Sequence, residues 1–127
     1  ECEVKSILQS YFNVKLTKLS LFHPLDFMDE TLTTFFEIKS RRLNHDKYNT
    51  MMIGKNKIEY IEKNYKTNNS YYFIFVCEDG IFYYKYDKED KLKVSIGGRN
   101  DRGKNEYKHY YYIPVNKLIK IKLNKNS

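Results

Sequence analysis

Apolar residues recur near the start of the chain first with the spacing of a helix and then with the spacing of a strand. From residue 1 to residue 12 they lie three or four positions apart, which predicts a helix. The segment 15–22 alternates apolar and polar residues, which predicts a strand. His23-Pro24 interrupts this pattern, because proline has no amide hydrogen to donate to a ladder.

A β-hairpin is predicted for the next part of the chain. Residues 25–28 and 32–40 are rich in apolar, aromatic and β-branched residues, and a short polar stretch separates them. In the second arm Phe35, Glu37 and Lys39 share one face, since side chains alternate along a strand. An acid and a base would therefore lie together on a face that is otherwise apolar.

The register of this hairpin decides whether a third ionisable group joins that face. The turn is expected at Glu30 and Thr31. Asp26 would then lie opposite Phe35 and diagonal to Glu37, within reach of its side chain. A slip of one residue would instead turn Asp26 to the other side of the sheet.

Helical and extended patterns continue through the rest of the chain. The predicted elements are a helix at 47–64, strands at 71–77, 81–87, 91–96 and 109–115, a Gly-rich charged loop at 97–108 and a basic, frayed tail at 116–127. The order of helix, three strands, helix and further strands predicts one α+β domain over residues 1–127, with two helices flanking a mixed sheet. Because the sequence does not begin with Met, we expect it to be a fragment of a longer chain.

The composition indicates a folded and basic protein. Of the 127 residues, 41% are hydrophobic and 17% are aromatic, which is enough apolar mass for one core. The formal net charge of +7 favours a polyanionic partner such as nucleic acid. AT-rich coding in a virus, a phage or a low-GC microbe would also produce a chain rich in Lys, Asn, Ile and Tyr.

The sequence offers little evidence for disulfides, zinc or membrane insertion. Cys2 and Cys77 are too few for a disulfide framework, and Cys77 ends an apolar run, which predicts a buried and unreactive thiol. His23, His45 and His109 are isolated from one another and from the cysteines, which argues against zinc. There is no signal peptide and no apolar run of membrane-spanning length, so we expect a soluble intracellular protein of the cytoplasm or nucleus.

The charged face of the second hairpin arm requires a chemical explanation. Removing Glu37 and Lys39 from water costs roughly several kcal/mol for each group unless something pairs with it. A divalent cation bound by Asp26 and Glu37 would replace the lost water and activate a water molecule for attack on a phosphodiester. Lys39 would then stabilise the nucleophile or the charge that grows on the phosphate.

These residues resemble a known family of nucleases. Asp26 is followed, after ten residues, by Glu37-Ile38-Lys39, within the order helix, strand, hairpin, helix, strand. This arrangement resembles the PD-(D/E)XK nuclease superfamily and spans roughly residues 1–87. The motif is short, so the order of the elements carries most of the resemblance.

One part of the motif departs from the family pattern. Pro24-Leu25-Asp26 stands where the family has a Pro-Asp element, with one residue inserted. This departure leaves Asp29 or Glu30 as alternatives to Asp26.

The resemblance implies a fold, an activity and a set of site residues. The fold would be a restriction-endonuclease-like αβββαβ core with extra C-terminal strands, and the activity a DNA endonuclease that uses Mg²⁺ or Mn²⁺. Asp26 and Glu37 would bind the metal and Lys39 would assist the attack. The family often adds an acid on the first helix, for which Glu3 is the better candidate, and a polar residue on the second helix, here Lys57.

Basic residues outside the motif are candidates for holding the DNA backbone. Arg41 and Arg42 follow the Glu-x-Lys strand directly, and the others are on the second helix and the long loop: Lys57, Arg99, Arg102 and Lys104. A solvated loop is the alternative explanation for each of these charges.

Other functions remain open at the level of the sequence. Glu-x-Lys on a strand is usually a solvated face or a cross-strand ion pair. The chain would then be a non-catalytic nucleic-acid-binding module in a larger viral or replication assembly, or an interaction domain with a Tyr-rich sheet. Cutting both strands of a duplex usually needs two active sites, so a homodimer is a further expectation.

Overall fold

The structure, a computed structural model, describes residues 2–99 and 106–123. Its helices and strands are α1 (Cys2–Phe12), β1 (Leu16–Lys18), β2 (Phe27–Asp29), β3 (Thr34–Ser40), β4 (Thr50–Gly54), α2 (Lys55–Lys63), β5 (Ser70–Cys77), β6 (Gly80–Lys85), β7 (Lys93–Arg99), β8 (Glu106–Pro114) and β9 (Ile119–Lys120). Single turns of 3-10 helix occur at Lys88–Asp90 and Val115–Lys117. The predicted α+β class, with a mixed sheet and two helices, is confirmed and is compatible with a restriction-endonuclease-like fold.

The main sheet has six strands in the order β1-β2-β3-β5-β6-β9. β3 and β5 run parallel in the middle of this sheet, and the other neighbouring pairs are antiparallel. A parallel pair needs a crossover connection, and the chain between β3 and β5 supplies it with β4 and α2.

Two apolar layers bury the two faces of this sheet. Helix α1 packs on the first face, where the core consists of Leu8, Leu16, Phe27, Phe36, Ile74 and Ile121. Helix α2 and a three-stranded sheet of order β4-β8-β7 cover the second face, where the core includes Met51, Ile53, Ile58, Ile61, Phe73, Phe75 and Ile113. Phe35 packs against this second core, so the face that it shares with Glu37 and Lys39 lies under α2.

The single helix predicted for residues 47–64 is wrong in its first part. Residues 50–54 form strand β4, and only Lys55–Lys63 are helical. The buried side chains Met51 and Ile53 alternate with a period of two, and β4 pairs with β8, where Met51 lies opposite Ile113. This pairing partner is distant in sequence, so the local pattern did not reveal the strand.

The predicted first strand, C-terminal tail and long loop also have different bounds in the structure. β1 ends at Lys18, and residues 19–26 form a loop. The tail was predicted to be frayed from residue 116. Up to residue 123 it is not frayed, because β9 pairs with β6 and Ile121 is buried. The strands β7 and β8 reach further into the predicted loop 97–108 than the sequence indicated, and residues 100–105 of that loop lie outside the described residues.

Candidate active site

The hairpin of β2 and β3 positions the first predicted carboxylate. Its register pairs Met28 with Phe35. Extended by one residue before β2, this register places Asp26 opposite Glu37. The sequence predicted that Asp26 would lie opposite Phe35. The difference of two positions keeps Asp26 on the predicted face, because side chains alternate along a strand with a period of two.

Asp29 explains why the turn lies later than predicted. Its buried carboxylate accepts hydrogen bonds from Thr31 Oγ1 at 2.6 Å and from the backbone N–H groups of Thr33 and Thr34 at 3.1 and 3.0 Å. Burial acts to raise the pKa of Asp29, but these hydrogen bonds hold it below its ordinary value. The turn therefore uses the Asp29 carboxylate, and Glu30 is exposed, so that Asp26 as the metal ligand stays a prediction.

Asp26 is fixed against the backbone of β3. Its N–H donates to the carbonyl of Phe36 at 2.9 Å, and its Oδ2 accepts a hydrogen bond from the N–H of Ile38 at 2.8 Å. Where β2 ends, the Asp26 side chain thus replaces a backbone carbonyl as the acceptor for this N–H group of β3. This contact holds the Asp26 carboxylate beside that of Glu37.

Glu37 is a carboxylate almost without solvent. It is 3% exposed, and in the parallel register it lies opposite Phe73 of β5. Burial, and then the neighbouring charge of Asp26, raise the pKa of Glu37 to about 7, although Lys57 lowers it. Among the described residues no donor contacts the buried Glu37 Oε1, although the Asp26 carboxylate lies within hydrogen-bonding reach of Glu37, so that a proton on one acid would be shared with the other.

Lys57 of α2 reaches the other oxygen of Glu37. Its Nζ lies 3.2 Å from Glu37 Oε2 and also donates to the carbonyl of Pro24. Helix α2 delivers this side chain because Ile58 and Ile61 are buried against the sheet on the same helix. The sequence predicted Lys57 to be the polar residue that the second helix adds to the site and also a DNA-binding residue; the structure places its ammonium inside the site, against Glu37.

Lys39 completes the charged face. It is half-buried and lies opposite Phe75 in the register of β3 and β5. Burial lowers the pKa of Lys39, Glu37 raises it, and the positive charges of Arg41 and Lys57 lower it further, so that the net shift is downward. Within the described ranges no hydrogen bond or ion pair engages its ammonium, which leaves it available for a ligand.

The comparison with protein-family models agrees with this geometry. A family described as "Phage putative PDDEXK endonuclease" matches residues 1–121. The chain belongs to this family. The resemblance to the PD-(D/E)XK superfamily, drawn from Asp26 and the Glu37-Ile38-Lys39 motif, is therefore confirmed. No curated protein matches the chain significantly.

The residues of this PD-(D/E)XK site fit a divalent cation. Carboxylate oxygens are the ligands that Mg²⁺ and Mn²⁺ prefer. Two carboxylates are adjacent here, and the charge of Asp26 raises the pKa of Glu37. The buried Glu37 Oε1, which lacks a donor, is the atom that a cation would satisfy.

The other predicted site residues have different positions. Glu3 is exposed in the first turn of α1, which packs on the opposite face of the sheet, and it is not grouped with Asp26 and Glu37. Its role as a third ligand stays a prediction that no proximity supports. The sequence could not show the position of Glu3, because a helical period determines which face of α1 is buried but not which face of the sheet α1 covers.

The predicted rim residues are only partly near the site. Arg41 donates to the carbonyl of Met52 at 3.1 Å, so it ties the end of β3 to β4 as well as influencing Lys39. Arg42 is exposed. Arg99 ends β7, and its side chain is not described. Arg102 and Lys104 lie outside the described residues.

A second polar cluster was not anticipated from the sequence. His45 Nδ1 lies 2.6 Å from Asp79 Oδ2, its N–H donates to Asp79 Oδ1 at 2.9 Å, and Asp46 is within 4.0 Å. Both carboxylate oxygens of Asp79 thus contact His45. The ring of His45 stacks on that of Phe82, with ring centroids 4.0 Å apart. The ligand atoms of His45, Asp46 and Asp79 lie within 4.8 Å of one another, close enough to hold a metal ion, and the contacts of His45 with Asp79 join the loop after β3 to the β5–β6 turn.

Two further sequence predictions concern reactivity and membranes. Cys77 is only partly buried, so the prediction of a buried thiol is wrong in degree. This burial still raises the pKa of the thiol to about 11, which keeps it protonated at neutral pH, as expected for an unreactive thiol. Neither helix in the described ranges has the length and apolar character needed to cross a bilayer.

Proposed function

We propose that this member of the phage PD-(D/E)XK endonuclease family is a Mg²⁺- or Mn²⁺-dependent nuclease that hydrolyses phosphodiester bonds of duplex or branched DNA. One observation carries the proposal: two adjacent carboxylates, one of them buried with an oxygen that no donor contacts, share a face with a half-buried lysine. Buried carboxylate oxygens without a donor are rare in folded proteins, and an ion absent from the structure is one of the explanations for them.

Asp26 and Glu37 would hold the cation. A Mg²⁺ or Mn²⁺ ion bound there would lower the pKa of a water molecule and polarise the phosphate. The contact of Asp26 Oδ2 with the N–H of Ile38 keeps one carboxylate oriented. Lys57 keeps the other oriented through Glu37 Oε2 and leaves Oε1 free. The protein thus prepares both ligands before the substrate arrives.

Lys39 would act on the attacking water or on the phosphate. Its lowered pKa makes a proton transfer at Nζ easier near neutral pH than for an exposed lysine. While protonated, Nζ stabilises the negative charge that develops on the phosphate oxygens. The net charge of +7 supports binding of the DNA backbone.

The test is a cleavage assay on linear duplex, circular plasmid and four-way-junction DNA, each with Mg²⁺, with Mn²⁺ and with EDTA. We expect products with either metal and none with EDTA. Glu37→Gln and Lys39→Ala are each expected to lower the cleavage rate by about 100-fold or more while the protein still binds DNA. Full cleavage by both variants would overturn the proposal.

One observation favours a second candidate function. Lys57 already compensates part of the charge of Glu37, so one oxygen of this carboxylate has a cationic partner without a metal ion. A non-catalytic nucleic-acid-binding module would keep this arrangement and would bind DNA with a strong salt dependence. Such a protein would yield no product with any metal, and the same assay separates the two. A homodimer remains a prediction, which size-exclusion chromatography with light scattering would test.

A further inference from the structure

The loop that joins β1 to β2, residues 19–26, carries two apolar side chains that are almost fully in water. Leu21 is 90% exposed and Phe22 is 96% exposed. Exposure of a leucine and a phenylalanine side by side is unfavourable in proportion to their apolar area. The pair therefore points to a partner that covers it.

Hydrogen bonds hold the loop in one shape. The N–H of Leu19 donates to the carbonyl of Asp26 at 2.8 Å and closes the base of the loop. At its tip, the N–H groups of Phe22 and His23 donate to Ser20, the first to Oγ at 3.2 Å and the second to the carbonyl at 2.9 Å. The apolar pair is thus presented by a turn that is already formed.

Helix α2 supports the same loop. His23 Nε2 lies 2.9 Å from the hydroxyl of Tyr60, and the two rings are in edge contact with centroids 4.8 Å apart. Lys57, the residue that contacts Glu37, also donates to the carbonyl of Pro24. One helix therefore fixes the loop and the carboxylates relative to each other.

The chain length between the tip and the site limits their separation. Phe22 precedes Asp26 by four residues, which span at most about 14 Å when extended. Phosphates follow one another at about 3.4 Å along one DNA strand. A phosphodiester at Asp26 and Glu37 would thus lie within about four nucleotides of the loop tip.

We propose that Leu21 and Phe22 form a wedge that inserts between bases of the DNA close to the bond that is cut. Leucine and phenylalanine are side chains that unstack base steps in this way. The proposal rests on the proposed nuclease function and narrows its substrate to DNA with a weakly stacked step near the cut, such as a mismatch, a bulge or a branch point. DNA is favoured over a protein partner because the chain is basic and because only four residues separate the tip of the loop from Asp26.

The experiment measures base unstacking without cleavage. Duplexes that carry 2-aminopurine at successive positions around a central mismatch are titrated with protein in EDTA, and fluorescence and affinity are recorded. We expect wild-type protein to raise the fluorescence at least threefold at one or two positions and to bind the mismatched duplex at least tenfold more tightly than the paired one. Leu21→Ala/Phe22→Ala should lose both effects while its affinity for paired DNA changes less than threefold.

A matched control comes from the opposite edge of the sheet. Leu123 is 58% exposed and follows β9, whereas the wedge lies at the β1 edge. Leu123→Ala should behave as wild type. The wedge would be overturned if the double variant kept both the 2-aminopurine fluorescence increase and the preference for mismatched DNA. It would also be overturned if the only change in the double variant were a loss of self-association in light scattering.

Cleavage of the same duplexes with Mg²⁺ is scored separately. Wild-type protein that cuts but does not unstack would refute the wedge and leave the nuclease function intact. Protein that unstacks but never cuts would refute the nuclease function and leave the wedge as a binding device.

Discussion

Lys57 Nζ of α2 lies 3.2 Å from Glu37 Oε2 of β3, so the buried acid of the site has a cation from the protein itself. The helix residue meets the strand residue because α2 packs on the face of the sheet to which Glu37 points. Lys57 also holds the carbonyl of Pro24, two residues before Asp26. This one side chain therefore links both carboxylates to the second helix.

Removing Lys57 should raise the pKa of Glu37 further above 7, so that the buried acid takes up a proton instead of staying charged. This uptake limits the loss to about 1.4 kcal/mol for each pH unit above 7, and at pH 9 in EDTA we expect Lys57→Met to reduce the free energy of unfolding by roughly 2 kcal/mol. The loss should be much smaller in a Glu37→Gln background, and a double-mutant cycle in urea measures this coupling.

The control for this cycle is Lys63→Met, an exposed lysine at the end of the same helix. It should cost less than about 1 kcal/mol. Equal losses from Lys57→Met with and without Glu37 would show that the pair is not coupled.

The raised pKa of Glu37 predicts a pH dependence of stability. Its pKa rises from the ordinary value of 4.5 to about 7 on folding, so between these values the folded state binds more protons than the unfolded state. This contribution to stability is present below pH 4.5 and is lost as the pH rises to about 7. Relative to Glu37→Gln, wild-type protein should lose roughly 3 kcal/mol over that range.

Urea unfolding of both proteins in EDTA at pH 5, 6, 7 and 8 measures this difference. The comparison with Glu37→Gln removes the opposite effects of Asp29, Asp79 and Asp90, whose pKa values are lowered in the fold. A difference that stays constant with pH would contradict the assignment.

Lys39 should affect the chemical step and not the binding of DNA. We expect Lys39→Ala to lower the cleavage rate by about 100-fold or more, the scale of a lost proton-transfer group. Lys39→Arg should recover little, because an arginine keeps its proton throughout the accessible pH range. Single-turnover cleavage and filter binding on the same DNA measure the two quantities, and an active Lys39→Ala protein would refute the role.

Asp29 and Asp26 should respond to substitution in opposite ways. Asp29→Ala removes the acceptor of three hydrogen bonds in the β2–β3 turn and should cost about 1–3 kcal/mol of stability. Its cleavage rate per folded molecule should stay near that of wild type. Thermal unfolding and cleavage of the same preparation distinguish this outcome from a direct catalytic role.

Asp26→Asn provides the complementary measurement. An asparagine oxygen still accepts the hydrogen bond from the N–H of Ile38, so we expect the stability to change by less than about 1 kcal/mol. Cleavage should be lost because the amide is a poor ligand for Mg²⁺. An active Asp26→Asn protein would return Asp29 and Glu30 to consideration.

The sequence alone determined the α+β class, the helix at 2–12 and the alternation that places Glu37 and Lys39 on one face. These features depend on local periodicity, because a strand fixes its facing side chains whatever it packs against. The spacing of Asp26 and Glu37-Ile38-Lys39, together with the order of the predicted elements, also led to the superfamily that the family match confirms.

Only the tertiary structure decided what surrounds that face. The hydrogen bonds of Asp29 set the turn and so the level of Asp26 against Glu37. β4 pairs with β8, which is far away in sequence, and this pairing limits α2 to residues 55–63. The packing of α2 on the sheet brings Lys57 into contact with Glu37. Helix α1, which carries Glu3, packs on the other face of the sheet. Such contacts join segments that no local pattern connects, because the burial of apolar faces against one another determines which elements meet.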